Sequence, residues 1–275
     1  MIDPLYSLSG FVVGLLVGMT GVGGGALMTP LLILGFGVPP AMAVGTDLLY
    51  AAATKTGGSL VHGFAHSIDW QVVKRLASGS IPATVLTLAV LSLLDLDGAV
   101  ARALITFVLS FALFLTAFVL VFGKALVAAY CARVARVAPE RTAKTTMIVG
   151  ALLGVLVSIS SVGAGAIGVV ALILLYPQMP MARIVGSDIV HAVPLTLVAG
   201  IGYWMIGSVD WHIIGSLLAG SLPGIFIGSY FAIRVPERAV RIALAAMLAL
   251  VATRIAYDHA PAASSLFAAF SKGAG

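Results

Sequence analysis

At 275 residues, with 61% hydrophobic and 9% charged side chains and a mean hydropathy of +1.14, the chain is too apolar for a soluble domain, which averages roughly 45–50% apolar and about 25% charged. Apolar stretches approaching the ~20 residues that cross a ~30 Å hydrocarbon core recur from end to end, so lipid is the expected solvent. The net charge of +5 lies in short loops between apolar segments, which fits membrane orientation better than a nucleic-acid surface.

The start, Met1-Ile2-Asp3-Pro4, carries an acid and no basic n-region, so the first apolar stretch is expected to stay in the mature protein. Apolar segments follow at about 5–20, 26–37, 40–63, 70–94 and 98–123, and again at about 146–160, 166–177, 180–206, 210–233 and 239–257. The period-2 alternation of a barrel is absent, so the expected fold is an all-α polytopic membrane protein with about 8–10 hydrophobic segments. The second segment of each set has only about 12 residues at ~1.5 Å each, too few to cross alone. Each comes directly after a break, Gly21-Val22-Gly23-Gly24-Gly25 or Ser161-Val162-Gly163-Ala164-Gly165. Each opening pair is therefore expected to be a glycine-broken helix or a re-entrant hairpin. Between the two sets lies a basic stretch, 131–145, expected to be a cytoplasmic linker. Its Cys131 is the sole cysteine, so no internal disulfide exists.

The two sets are repeats. A shift of 141 residues lays Gly45-Thr46-Asp47 on Gly186-Ser187-Asp188, Asp69-Trp70 on Asp210-Trp211, and Gly79-Ser80-Ile81-Pro82 on Gly220-Ser221-Leu222-Pro223. A shift of 140 aligns the two breaks, so one single-residue indel reconciles the offsets. Matched blocks in the same order define a first transmembrane repeat (1–130), the linker (131–145), a second repeat (146–257) and a tail (258–275). If each opening pair counts as zero or two crossings, the halves are inverted. That arrangement puts Lys74, Arg75, Lys124, Arg133, Arg136, Arg141, Lys144, Arg183, Arg234, Arg238 and Arg241 inside, and only Arg102, Arg254 and Lys272 outside. The positive-inside rule favours it.

Inverted halves with short, glycine-interrupted segments in matching places point to a transporter with a midplane site. A helix that starts inside the membrane presents free N–H groups and a positive dipole end, which suit an anion. The expected substrate-binding residues are Thr20, Gly21, Gly23, Gly24, Gly25, Ser160, Ser161, Gly163 and Gly165, with Lys55 as the attracting charge. Against this stands the common use of glycine for close helix packing. Ionisable residues inside spans are costly and usually functional: Asp47, Asp188, His191 and His62 are expected to couple or gate. The alternative is that each Asp caps a helix or neutralises Lys55.

Several of these blocks, together with Leu48-Leu49-Tyr50, Thr54-Lys55, Ile68-Asp69-Trp70 and His191-Ala192-Val193-Pro194, resemble the TauE/SafE sulfite exporter family, also called the 4-toluene sulfonate uptake permease family. The resemblance spans nearly the whole chain. It implies a secondary carrier of sulfur-containing anions such as sulfite, sulfonates or sulfoacetate in a bacterial inner (cytoplasmic) membrane. One departure is the second break, Ser-Val-Gly-Ala-Gly, where many members repeat the glycine run. The expected function is export of such an anion by alternating access between the two breaks, with lipid and substrate as partners. Proton or cation coupling and a homodimer stay open, and no cofactor, metal or nucleic acid is expected. The alternatives are an anion channel, a carrier for a non-sulfur organic anion, or, less in keeping with the residues, a membrane enzyme. For an enzyme only Asp188 with His191 starts a catalytic pair, and no serine or cysteine is placed by sequence to complete it.

Overall fold

The computed structural model describes residues 3–20, 25–64, 68–94, 96, 98–131, 139–231 and 241–258. Among them the secondary structure is helical throughout: α1 (Pro4–Thr20), α2 (Gly25–Phe36), α3 (Pro40–Phe64), α4 (Trp70–Ser92), α5 (Ala99–Cys131), α6 (Pro139–Ser160), α7 (Ala166–Leu175), α8 (Met181–Met205), α9 (Trp211–Phe231), and a last helical stretch at 241–258. The apolar segments read from the sequence become these helices with small shifts at their ends. Helix enters both ends of the expected linker, since α5 runs on to Cys131 and α6 begins at Pro139.

Among the described residues five helices, α4, α5, α6, α8 and α9, are long and apolar enough to cross a bilayer. The short α2 and α7, of 12 and 10 residues, extend only about 18 and 15 Å. The distribution of side chains is that of a protein dissolved in lipid. Phe107, Phe111, Phe114, Phe118 and Phe122 form an exposed stripe on α5, while Asp47, Asp188, His191 and a dozen or more serines and threonines are buried. Polar groups inside and aromatic groups outside reverse the soluble rule, because hydrocarbon gives no penalty to phenylalanine and no partner to a carboxylate. The chain is a multi-pass membrane protein.

Packing follows the repeat. Helix α1 lies against α9, and α6 against its counterpart contact, α4. A Cβ placed on Gly10, Gly14 or Gly18 would strike the α9 backbone at Leu217, Ser221 or Ile225, and one on Gly150 or Gly154 would strike α4 at Leu76 or Ser80. Gly220 and Gly79 press back on Ser7 and Met147 in the same way. These are the same contact made twice, residue 7 matching 147, 10 matching 150 and 76 matching 217 under the sequence offsets. Lipid offers no hydrophobic drive between helices, so small residues that let backbones meet supply the association.

The helix starts repeat as well. Asp69 caps α4 by accepting from the N–H groups of Gln71 (3.0 Å) and Val72 (3.2 Å), and Asp210 accepts from His212 (2.8 Å) and Ile213 (3.1 Å). Each cap is held by the opposite half: the Asp69 N–H donates to Ser187 Oγ at 2.8 Å, and the Asp210 N–H to Thr46 Oγ1 at 3.1 Å. Between these ends α3 and α8 cross the centre together. Gly45 sits against Tyr203 and Ser208 while Leu49 sits against Gly200, so the two repeat-equivalent helices run antiparallel.

Candidate functional site

The site is built around the second break. Helix α6 stops at Ser160, and the backbone turns through Ser161 (φ 58°), Gly163 (φ 124°) and Gly165 (φ 133°) before α7 starts. Glycine takes the last two conformations without a steric penalty, whereas Ser161 holds a left-handed conformation that costs a non-glycine residue on the order of 1 kcal/mol. The break is buried from Ser161 to Ala164, so its polar backbone must find partners inside the protein. Ser160 Oγ donates to Leu156 O (2.7 Å) and accepts from Val162 N (3.2 Å). Lys55, on α3 of the other half, donates from Nζ to Ala164 O at 3.1 Å. Helix α7 then starts at Ala166, and its N-cap Gly165 offers no side-chain cap, leaving the dipole end facing this turn.

Lys55 also faces both mid-span acids, Asp47 and Asp188. Asp47 is fully buried and its Oδ2 accepts from Thr29 Oγ1 of α2 at 2.5 Å, while Ser161 lies beside it. Asp188, 1% exposed, rests on α7 where a Cβ at Gly168 would collide with Oδ1. Asp47 Oδ1, Asp188 Oδ1, Ser161 Oγ and His191 Nδ1 are buried without a hydrogen-bond partner among the described residues. Unpaired buried polar atoms cost roughly 1–3 kcal/mol each. Four on one cluster mark a place arranged for something other than the resting fold.

The repeat explains three further members that the sequence reading missed, Ser80, Tyr50 and Ser221. His191 Nε2 lies 2.8 Å from Ser80 Oγ. At the equivalent positions of the other half Tyr50 meets Ser221. Pairing residue 50 with 191 and 80 with 221 in the alignment would have found them. No serine is placed by sequence beside Asp188 and His191, and it is the fold that brings Ser80 there. A nucleophile and base would also need the second ring nitrogen oriented by a third group, and Nδ1 has no hydrogen-bond partner among the described residues. At the position equivalent to Lys55, Thr196 turns back to Ala192 O (2.8 Å), so the lysine has no counterpart.

Of the expected substrate residues, the structure brings together Lys55, Ser160, Ser161, Gly163 and Gly165, with Asp47, Asp188 and His191 around them. Gly25 opens α2. Gly21, Gly23 and Gly24 lie outside the described residues, as do the side chains of Thr20 and His62. A cavity of about 510 Å³ between α5, α7 and α8 reaches this turn at Gly165 and Ala166. Val169, Ile173 and Val185 line it, with Lys124 and Arg241 adding positive charge.

A helix bundle with an apolar exterior, a buried charged centre and a non-helical break beside it is the architecture of a membrane transporter. The model of the family described as Sulfite exporter TauE/SafE matches residues 6–255, and the chain belongs to that family. It is 37% identical over 242 residues to the probable membrane transporter protein YjnA of Bacillus subtilis (strain 168), covering 88% of this chain and 94% of that one. It is 24% identical over 234 residues to YdhB of the same organism, covering 85% and 92%. A probable membrane transporter protein of Xylella fastidiosa (strain 9a5c) is 27% identical over 227 residues, covering 82% and 83%. No solved structure gives a significant match.

Proposed function

We propose that the chain is a secondary carrier that exports a small sulfur-containing anion, such as sulfite, a sulfonate or sulfoacetate, across a bacterial inner membrane. The observation that supports this most is the Lys55 bond to Ala164 O. It sets the one lysine of the mid-span cluster on the backbone turn of the opposite half, beside the uncapped start of α7. A cation and the positive end of a helix dipole converge there, and together they attract an anion. The cavity bearing Lys124 and Arg241 supplies a positive approach to the same turn, on the side that the positive-inside rule makes cytoplasmic.

The halves are proposed to be inverted across the bilayer, which the antiparallel α3 and α8 and the exchanged contacts support. Alternating access then comes from one half rocking on the other about the site between the two breaks. Asp47, Asp188 and His191 are the groups placed to couple a second ion. An inside-negative potential drives a net negative cargo outward by about 2.3 kcal/mol per charge per 100 mV.

The test is flux in proteoliposomes over sulfite, sulfate, thiosulfate, sulfoacetate, methanesulfonate, taurine and acetate, with and without a pH gradient. Saturable movement of a sulfur oxyanion or a sulfonate is expected. Unitary currents in place of saturation would mean a channel. Saturable movement of acetate alone would mean a carrier for a different anion class.

A further inference from the structure

The charges of the central cluster do not balance for an anion site. Two carboxylates, Asp47 and Asp188, face one ammonium, Lys55. The other titratable neighbours are His191 on α8, held at Nε2 by Ser80, and Tyr50 on α3, which faces Asp47 and Ser221. Helix α7 meets Asp188 with glycine, and the α6–α7 turn contributes the uncharged Ser161. With both acids ionised and the imidazole neutral, the cluster carries one net negative charge before any substrate arrives. A buried carboxylate oxygen with no donor is costly. Here there are two, Asp47 Oδ1 and Asp188 Oδ1. An arriving anion finds its attractive partner, Lys55, already outnumbered.

Resting on the reading of this cluster as the anion site, we infer that it admits an anion only together with one proton, shared between Asp47 and Asp188. The proton satisfies one orphaned oxygen and brings the empty cluster to neutrality, so Lys55 is free to serve the anion. Because each acid acts on the same ammonium, a proton on either one relieves the same imbalance. The balance is simple: one anion and one proton bind, one anion and one proton leave, and no bond is made or broken except that O–H. A monoanion then crosses without net charge. A dianion crosses with one net negative charge, so the membrane potential drives only the second kind outward, and a monoanion leaves down its own concentration gradient.

The experiment uses the full-length protein and two probes that stay fully ionised near neutral pH, methanesulfonate and thiosulfate. Affinity is measured from pH 6 to pH 9 together with the protons taken up per anion bound. Flat affinity on the acid side is expected, giving way to a weakening that approaches tenfold per pH unit. Proton uptake should rise toward one per anion over the same interval, because the slope of affinity with pH counts the protons bound. Asp47→Asn or Asp188→Asn removes one negative charge, so either variant should bind with no pH slope and no proton uptake. A slope that persists in both would assign the proton to Lys55 or His191 and overturn the shared-carboxylate proton. Anion binding in wild type with no slope and no uptake across the range would overturn the inference while leaving the carrier reading intact. No binding of either probe would overturn both. Should neither variant fold, wild-type proteoliposomes decide the matter. Methanesulfonate flux driven by a pH gradient and indifferent to an imposed potential is the expected result, and flux that follows the potential with no response to pH refutes it.

Discussion

Lys55→Gln is expected to lower anion flux at neutral pH by at least tenfold, about 1.4 kcal/mol in apparent affinity, while the yield of folded protein stays near wild type. Lys55 has two roles in the structure, and this substitution separates them. Its donation to Ala164 O satisfies a carbonyl in a buried, non-helical turn, which a glutamine amide can also do. Its positive charge compensates Asp47 and Asp188, which an amide cannot. Two unit charges about 4 Å apart at an effective dielectric near 20 interact by about 4 kcal/mol, so losing the ammonium weakens an anion far more than losing one hydrogen bond. Lys55→Ala removes both roles and should lower flux and, to a lesser degree, yield. Because protons can replace the missing charge, the Gln variant should recover part of its affinity as the pH falls. Wild-type kinetics in the Gln variant would remove Lys55 from the anion site and leave it a structural ligand of the turn.

The second large effect is steric. Gly79→Val and Gly220→Val should each reduce the yield of monodisperse protein severely, because their Cβ atoms would overlap the carbonyls of Met147 and Ser7 on the neighbouring helix. The obstacle is backbone, which cannot rotate aside as a side chain does. Overpacking a tight core typically costs about 1–3 kcal/mol and occasionally more, and separating two helices along several turns belongs at the upper end. Gly215→Ala, on the same α9 but facing open space, is the control and should behave as wild type. Thermal unfolding in detergent reads both. If Gly79→Val and Gly220→Val unfold no earlier than the control, the close glycine contacts do not hold the α4–α6 and α1–α9 pairs together.

The residues themselves made the class and much of the plan legible. Apolar runs of near-spanning length, the glycine-rich breaks followed by short segments, and the two-block alignment are all one-dimensional signals. In lipid they translate directly into helices, because no other open structure satisfies its own backbone. The start of α7 at Ala166 and the placement of Lys55, Asp47 and Asp188 inside spans needed no tertiary information. The functional weight given to Lys55 followed from its having no counterpart in the second half, where Thr196 stands.

What the tertiary structure alone decided is which half meets which. Lys55 of the first half reaches Ala164 of the second, Ser80 reaches His191, and Thr29 reaches Asp47. These partners are far apart in sequence or lie on separate helices, and no period or spacing encodes a contact between them. The same holds for the glycines. Gly79 is a close-contact residue and Gly215 faces open space, although both are single glycines in apolar helices. The difference comes from the neighbouring backbone, which enters only when two helices pack. The unbalanced charge at the centre is likewise a tertiary fact: the chain supplies two acids and one lysine, and only their convergence around one turn makes the anion and the proton depend on each other.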